Sequence, residues 1–134
     1  MKKAVAFLIG LVIIASQLQG FAYNYPQSFW GMNENYSRAL ANNDYNGIIQ
    51  YGNQIITLMK NEPNCEEKTD VLITRYNAVA NAYAKLGSYD KSAEVYRELY
   101  NYGQPYIDKY YEYIKGAEVR IPQYSSEITM YTDK

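Results

Sequence analysis

The chain has 134 residues, with 13 basic and 14 acidic side chains, 17 tyrosines, one cysteine and no histidine. That length fits a single domain, and a near-neutral balance without a basic cluster argues against nucleic-acid binding. Without histidine the usual general base and the Ser-His and Cys-His pairs are missing, zinc sites of histidine and cysteine are excluded by count, and one cysteine forbids an internal disulfide.

Residues 1–22 have the order of a secretory signal peptide. Met1-Lys2-Lys3 is a short basic start, residues 4–15 are an uncharged apolar run, and Gly20-Phe21-Ala22 places small residues at the minus-three and minus-one positions of a cut after Ala22. The apolar run is short for a membrane span of about 20 residues. An uncleaved anchor is the alternative, and would be the membrane attachment. No cysteine stands at the cut to carry a lipid. The expectation is a secreted or cell-surface protein, and the shortage of cysteine in an exported chain points to a Gram-positive bacterium.

In the mature part, residues 29–41 read as a first helix with Ser28 as its cap. Asn42-Asn43-Asp44 breaks it, because Asn43 tolerates the left-handed conformation and Asp44 is a good N-cap. A second helix places Ile48, Ile49, Gly52, Ile55, Ile56 and Met59 on one apolar face. Glu62-Pro63-Asn64 ends it, since the residue before proline avoids the helical region. Cys65 follows in a polar, turn-like stretch and reads as a free thiol or partly buried loop residue, with an intermolecular disulfide as the alternative.

Thr69 or Asp70 is the expected cap of a third helix, with Leu72, Tyr76, Val79, Ala80 and Tyr83 inward. Gly87 ends it, and Ser88 caps a fourth with Tyr89, Ala93, Tyr96, Leu99 and Tyr100 inward. Residues 101–105 stop the fourth. Residues 106–115 read as a fifth helix, apolar over a wide arc through Tyr106, Ile107, Tyr110, Tyr111, Tyr113 and Ile114. The tail, residues 118–134, contains Pro122, a Ser-Ser pair and an alternation at Ile128, Met130 and Tyr131. It reads as a linker followed by a strand-like piece, and a lone strand has nothing to pair with.

Residues 83–100 lie over residues 39–56 as a repeat. Asn43-Asp44-Tyr45 falls on Gly87-Ser88-Tyr89, Ile49 on Ala93 and Ile55 on Leu99. Each unit is helix, tight turn, helix, and the turn needs a residue that takes positive φ. Helix pairs at a fixed period mark a solenoid. In residues 73–106, Tyr76, Val79, Ala80, Tyr83, Gly87, Tyr89, Ser92, Tyr96 and Leu99 fall at spacings that resemble the tetratricopeptide repeat family. Residues 29–62 form a degenerate second copy, with Met32, Tyr36 and Ile48 at positions where the family has other residue types. The 44-residue offset between Tyr45 and Tyr89 exceeds the family's 34. The predicted fold is all-α: an antiparallel helix-pair solenoid of about two repeats over residues 28–117, with the fifth helix as a cap.

The resemblance implies a protein-interaction scaffold whose concave groove is lined by the first helix of each pair. The groove positions are Trp30, Asn33, Ser37 and Leu40 in the first unit and Asn77, Asn81, Ala84 and Lys85 in the second. Asparagine offers both donor and acceptor to an extended peptide backbone, Lys85 suits a carboxylate, and Trp30 suits an anchor. The charged pair with which some family members clamp a peptide carboxylate is not visible. Asp90, Glu94 and Glu98 alternate with Lys91 and Arg97, which reads as an exposed mixed-charge face rather than a metal or acid-pair site. There is no glycine-rich phosphate loop. No enzyme activity, metal or cofactor is expected. Two other readings stand beside the scaffold: a module that stacks cell-wall glycans on Tyr106, Tyr110 and Tyr113, and the N-terminal adaptor of a larger exported enzyme.

Overall fold

The computed structural model describes the backbone of residues 22–132 and the side chains as far as Ser125. The predicted signal segment falls outside the described residues, apart from Ala22 at its end. The described part is all-α, with no strand among its residues. The helices are α1 (Gln27–Ala41), α2 (Tyr45–Lys60), α3 (Glu66–Lys85), α4 (Tyr89–Gly103) and α5 (Tyr111–Thr132), and a 3-10 turn (Gln104–Tyr106) precedes α5. Each helix packs on the next, and short connections make successive helices antiparallel. Contacts of α3 with α1 and with α5 set these three helices in one layer, with α2 and α4 in the other.

The two tight turns are the same structure made twice. Asn43 has φ 52° and Gly87 has φ 79°. In the first, the Asn43 N–H donates to the Leu40 carbonyl at 3.2 Å and the Asp44 N–H to the Ala39 carbonyl at 2.9 Å. In the second, Gly87 donates to Ala84 at 3.0 Å and Ser88 to Tyr83 at 2.9 Å. This paired closure is the Schellman arrangement, which satisfies the last carbonyls of a helix and requires a left-handed residue at its centre. Asp44 then caps α2, its carboxylate accepting from the Gly47 N–H at 3.0 Å. Ser88 begins α4 without a side-chain cap bond. A Cβ at Gly87 would meet no atom within 4 Å. A Gly87→Val substitution therefore tests backbone conformation alone. It should cost about 2 kcal/mol, with a lower melting temperature, while Gly87→Asn should retain most of the stability. An unchanged melting temperature in the valine variant would refute the left-handed turn.

The core lies between the layers. Ile55, Met59, Leu72, Ile73, Val79, Leu99 and Ile114 are fully buried, with Tyr36, Tyr76 and Tyr96 nearly so. The predicted inward faces of α2, α3 and α4 are largely those observed, although Ile49, Tyr83, Tyr89 and Tyr100 are only half-buried. Small residues set how closely the helices approach. A Cβ at Gly52 on α2 would stand 2.5 Å from Val79 Cγ2 on α3, and one at Gly103 on α4 2.8 Å from Ile114 on α5. Between α3 and α4, the fully buried Ser92 hydroxyl donates to the Ala80 carbonyl at 2.7 Å, so its polarity is satisfied within the seam.

The structure corrects three boundaries. First, α1 starts at Gln27 after Pro26, so Ser28 lies inside it and does not cap it. Second, α3 starts at Glu66, ahead of both predicted caps, Thr69 and Asp70. Its N-cap is Cys65, in extended conformation, whose sulfur accepts from the Lys68 N–H at 3.4 Å. Thr69 and Asp70 are helical, and the Thr69 hydroxyl donates back to the Cys65 carbonyl at 3.0 Å. Third, Tyr106 ends the 3-10 turn and residues 107–110 are turn and bend rather than the start of the fifth helix, and α5 continues through Pro122 to Thr132 where a linker and strand-like piece were expected. Beyond the proline, Tyr124 packs its ring 5.2 Å from Tyr89 and 6.2 Å from Tyr96, which holds this turn of α5 on α4. An interior proline costs about 3 kcal/mol, and the packing of Ile114, Ala117, Ile121 and Tyr124 along α5 offsets it.

Candidate functional site

The outer face of the α1–α3–α5 layer carries the predicted groove residues. On α1, Trp30 is 58% exposed, and its ring lies 5.0 Å from Tyr25 and 5.1 Å from Phe29. It thus belongs to an aromatic cluster at the chain entry and still presents one side to solvent. Ser37 and Leu40 are exposed, about two and three turns further on. Asn33 is half-buried, and its side-chain oxygen accepts from Arg75 Nη2 on α3. Its side-chain oxygen thus ties α1 to α3, while the amide NH2 makes no hydrogen bond among the described residues.

Arg75 is a residue that sequence reasoning missed. Its guanidinium lies over the Tyr36 ring, 4.7 Å from the centroid, and Nη1 donates to the Thr74 hydroxyl at 2.9 Å. Its Nε is buried with no acceptor among the described residues. A planar cation on a ring face is an attractive contact in its own right. Burial raises the Tyr36 hydroxyl above the ordinary phenol range, Arg75 opposes that rise, and Tyr113 of α5 adds to it. Burial likewise raises Tyr25, reinforced by the carboxylates of Glu67 and Asp70 and opposed by Arg75. Nothing in the spacing of the sequence marks Arg75, because its contacts cross from one repeat to the other.

On α3, Asn77 is half-buried, and Asn81 and Lys85 are exposed. They stand four residues apart on one line of the helix. None of the three side chains makes a hydrogen bond or ion pair among the described residues. Asn81, Ala84 and Lys85 line one side of a cavity of about 470 Å³, and Tyr89 of α4 with Arg120, Gln123 and Tyr124 of α5 line the rest. The structure thus joins three predicted groove residues to four that were not predicted. The tail's helical course is what brings Arg120, Gln123 and Tyr124 there.

A second cleft, of about 560 Å³, lies at the opposite end of α3. It is lined by Cys65, Thr69, Pro105, Tyr106 and Tyr110 among others, with the Lys109–Glu66 ion pair among its lining residues. Of the tyrosines considered for glycan stacking, Tyr110 is buried and its hydroxyl donates to Asp70 at 3.4 Å. Tyr106 is half-buried, and Tyr113 is 36% exposed. Among the described residues there is no group of three or more His, Cys, Asp or Glu placed to hold a metal ion. No helix among them is long and apolar enough to cross a membrane.

No family model, curated protein or solved structure matches the chain.

Proposed function

We propose that this chain is an exported, non-catalytic protein-interaction scaffold of tetratricopeptide-like build, which holds an extended segment of a partner protein against the α1–α3–α5 face. The observation that carries the reading is the line Asn77, Asn81 and Lys85 along α3. These polar side chains share one face and make no hydrogen bond or ion pair among the described residues. An amide side chain offers a donor and an acceptor together, which is what a backbone peptide group requires. The repeated Schellman turns, the small residues at the helix seams and the spacing around Gly87 support the family resemblance. The basic start, apolar run and Gly20-Phe21-Ala22 support export. The glycan reading is weaker, because Tyr110 is turned into the core and bonded to Asp70.

A crosslinking pull-down with the full chain against cell-surface extract tests this reading. A recurrent protein should be recovered by the native chain and lost by at least tenfold when Asn77, Asn81 and Lys85 are changed together to alanine, since each exposed polar contact is worth up to about 1 kcal/mol. Equal recovery by the triple variant would exclude this face.

A further inference from the structure

We infer that the cleft at the Cys65 end of α3 binds a small organic ammonium ion, one that carries its charge on an apolar or aromatic body. The inference stands apart from the scaffold reading, because none of the residues it uses belongs to the line Asn77, Asn81 and Lys85.

The walls of the cleft are Pro105, Tyr106 and Tyr110 from the α4–α5 connection, set against Cys65 and Thr69 of α3. The rings are fixed from behind. Tyr102 donates to the Thr69 hydroxyl at 3.4 Å and lays its ring 5.7 Å from that of Tyr106. Tyr110 donates to Asp70 at 3.4 Å. A volume of about 560 Å³ with aromatic walls and a few polar groups is that of a small-molecule site.

The charge around it is net negative. Glu66 and Asp108 line the cleft as carboxylates, against Lys109 as a cation. Lys109 is paired with Glu66, and Asp108 makes no hydrogen bond or ion pair among the described residues. Asp70 stands behind Tyr110, and Glu67 follows Glu66 in the first turn of α3. Two effects act the other way. The N-terminus of α3 carries roughly half a positive charge, which Glu66 and Glu67 offset. The Lys68 ammonium donates to the Asn64 side chain at 3.3 Å, but it is held by the Glu62 and Lys60 carbonyls on the α2 side. An anion is therefore disfavoured, and a cation is attracted.

The protein's own lysine indicates the kind of cation. The Lys109 ammonium lies 5.5 Å from the centre of the Tyr110 ring and against the Glu66 carboxylate. A ring face beside a carboxylate is a favourable seat for an ammonium. Lys109 and Glu66 are both exposed, so their pairing contributes little and the lysine yields its place at small cost. A ligand ammonium in that place meets Glu66 and Asp108, with its apolar body against Pro105, Tyr106 and the Cys65 sulfur.

NMR titration of the full chain at low salt with phenethylamine, protonated at neutral pH, tests this beside phenethyl alcohol, which has the same body and no charge. The amine should bind about tenfold more tightly, since a ring face and a carboxylate each favour the cation. Its amide shifts should centre on residues 64–69 and 105–110. Asp108→Asn should cut the preference to about threefold, and Lys109→Met, which removes the competing ammonium, should raise it by about threefold. Both positions are exposed, so the variants keep the fold. Equal binding of amine and alcohol would overturn the inference in favour of a neutral ligand. A preference lowered by Lys109→Met would overturn it by making the lysine a contact rather than a competitor. Shifts centred elsewhere, or none that saturate, would overturn it outright. None of these outcomes touches the pull-down on Asn77, Asn81 and Lys85, so the two readings fail separately.

Discussion

Lys68→Met should lower the stability of the protein by about 3 kcal/mol and its melting temperature by roughly 15 °C. Lys68 is 7% exposed, and its ammonium meets no carboxylate among the described residues. Instead it donates to the Glu62 carbonyl at 2.7 Å, the Lys60 carbonyl at 3.2 Å and the Asn64 side-chain oxygen at 3.3 Å. The last carbonyls of a helix lack intrahelical partners, and here a lysine from the next helix supplies them. The same contact fixes the α2–α3 connection, in which Pro63 has already closed off a helical continuation. Methionine preserves the apolar stem and removes the three donors, so two partly buried backbone carbonyls lose their partner. Hydrogen bonds from a charged donor contribute about 1.5–3 kcal/mol, and an orphaned buried acceptor carries its own desolvation cost. Lys109→Met is the control: it removes the ion pair with Glu66, whose two side chains are 53% and 74% exposed, and should leave the melting temperature within error. Thermal melts of the three proteins followed at 222 nm decide the matter. A Lys68→Met melt that superimposes on the control would show that the bonds to α2 contribute nothing.

What the sequence made legible and what it hid divide along a physical line. The turns at Asn43 and Gly87 were legible because a left-handed residue is a local demand on one position. The apolar faces of α2, α3 and α4 were legible because burial imposes a period on neighbours three and four apart. Cys65 was missed as a cap because serine, threonine, asparagine and aspartate are the usual caps. A thiol accepts weakly, and here Thr69 shares the task by bonding the Cys65 carbonyl. The course of α5 was hidden because Pro122 and the Ser125-Ser126 pair are helix-breaking by local rule, whereas Tyr124 is held from outside the helix by Tyr89 and Tyr96. The candidate site shows the same division. Asn77, Asn81 and Lys85 share a helix face at a spacing visible in the chain. Their companions Arg120 and Gln123 could be placed only once the tail was helical. Asn33 was correctly located on α1, but its engagement by Arg75 is a contact between residues 42 positions apart.

Alkaline pH should unfold the protein cooperatively between about pH 10 and 12, because so much of its interior is tyrosine. Burial raises the hydroxyls of Tyr23, Tyr25, Tyr36, Tyr76, Tyr96, Tyr102 and Tyr110 above the ordinary phenol range, and Tyr96 is pushed up to about 12. For Tyr96 the nearby Arg120 acts in the opposite direction, yet desolvation prevails. A hydroxyl whose folded pKa lies above its unfolded value contributes stability that is fully present below pH 10. That stability is lost as pH rises through the folded value, since the unfolded chain releases its protons first. Each buried tyrosine steepens the loss by up to about 1.4 kcal/mol per pH unit. Tyr36, Tyr76 and Tyr96, all nearly inaccessible to solvent, therefore act together within one narrow window. No histidine is present to titrate between pH 6 and 8, so the melting temperature should hold nearly level there. With helicity at 222 nm and phenolate absorbance at 295 nm followed on one sample, the buried rings' share of the absorbance should appear in the same step as the loss of helicity, after the exposed tyrosines such as Tyr111 and Tyr113 have contributed theirs. Tyr96→Phe, which keeps the ring and removes the ionisable group, should move that step to higher pH. Phenolate absorbance that reaches its full value for all 17 tyrosines around pH 10 while helicity persists would mean that these rings are open to solvent. The packing of α5 over α4 would then not be the arrangement described.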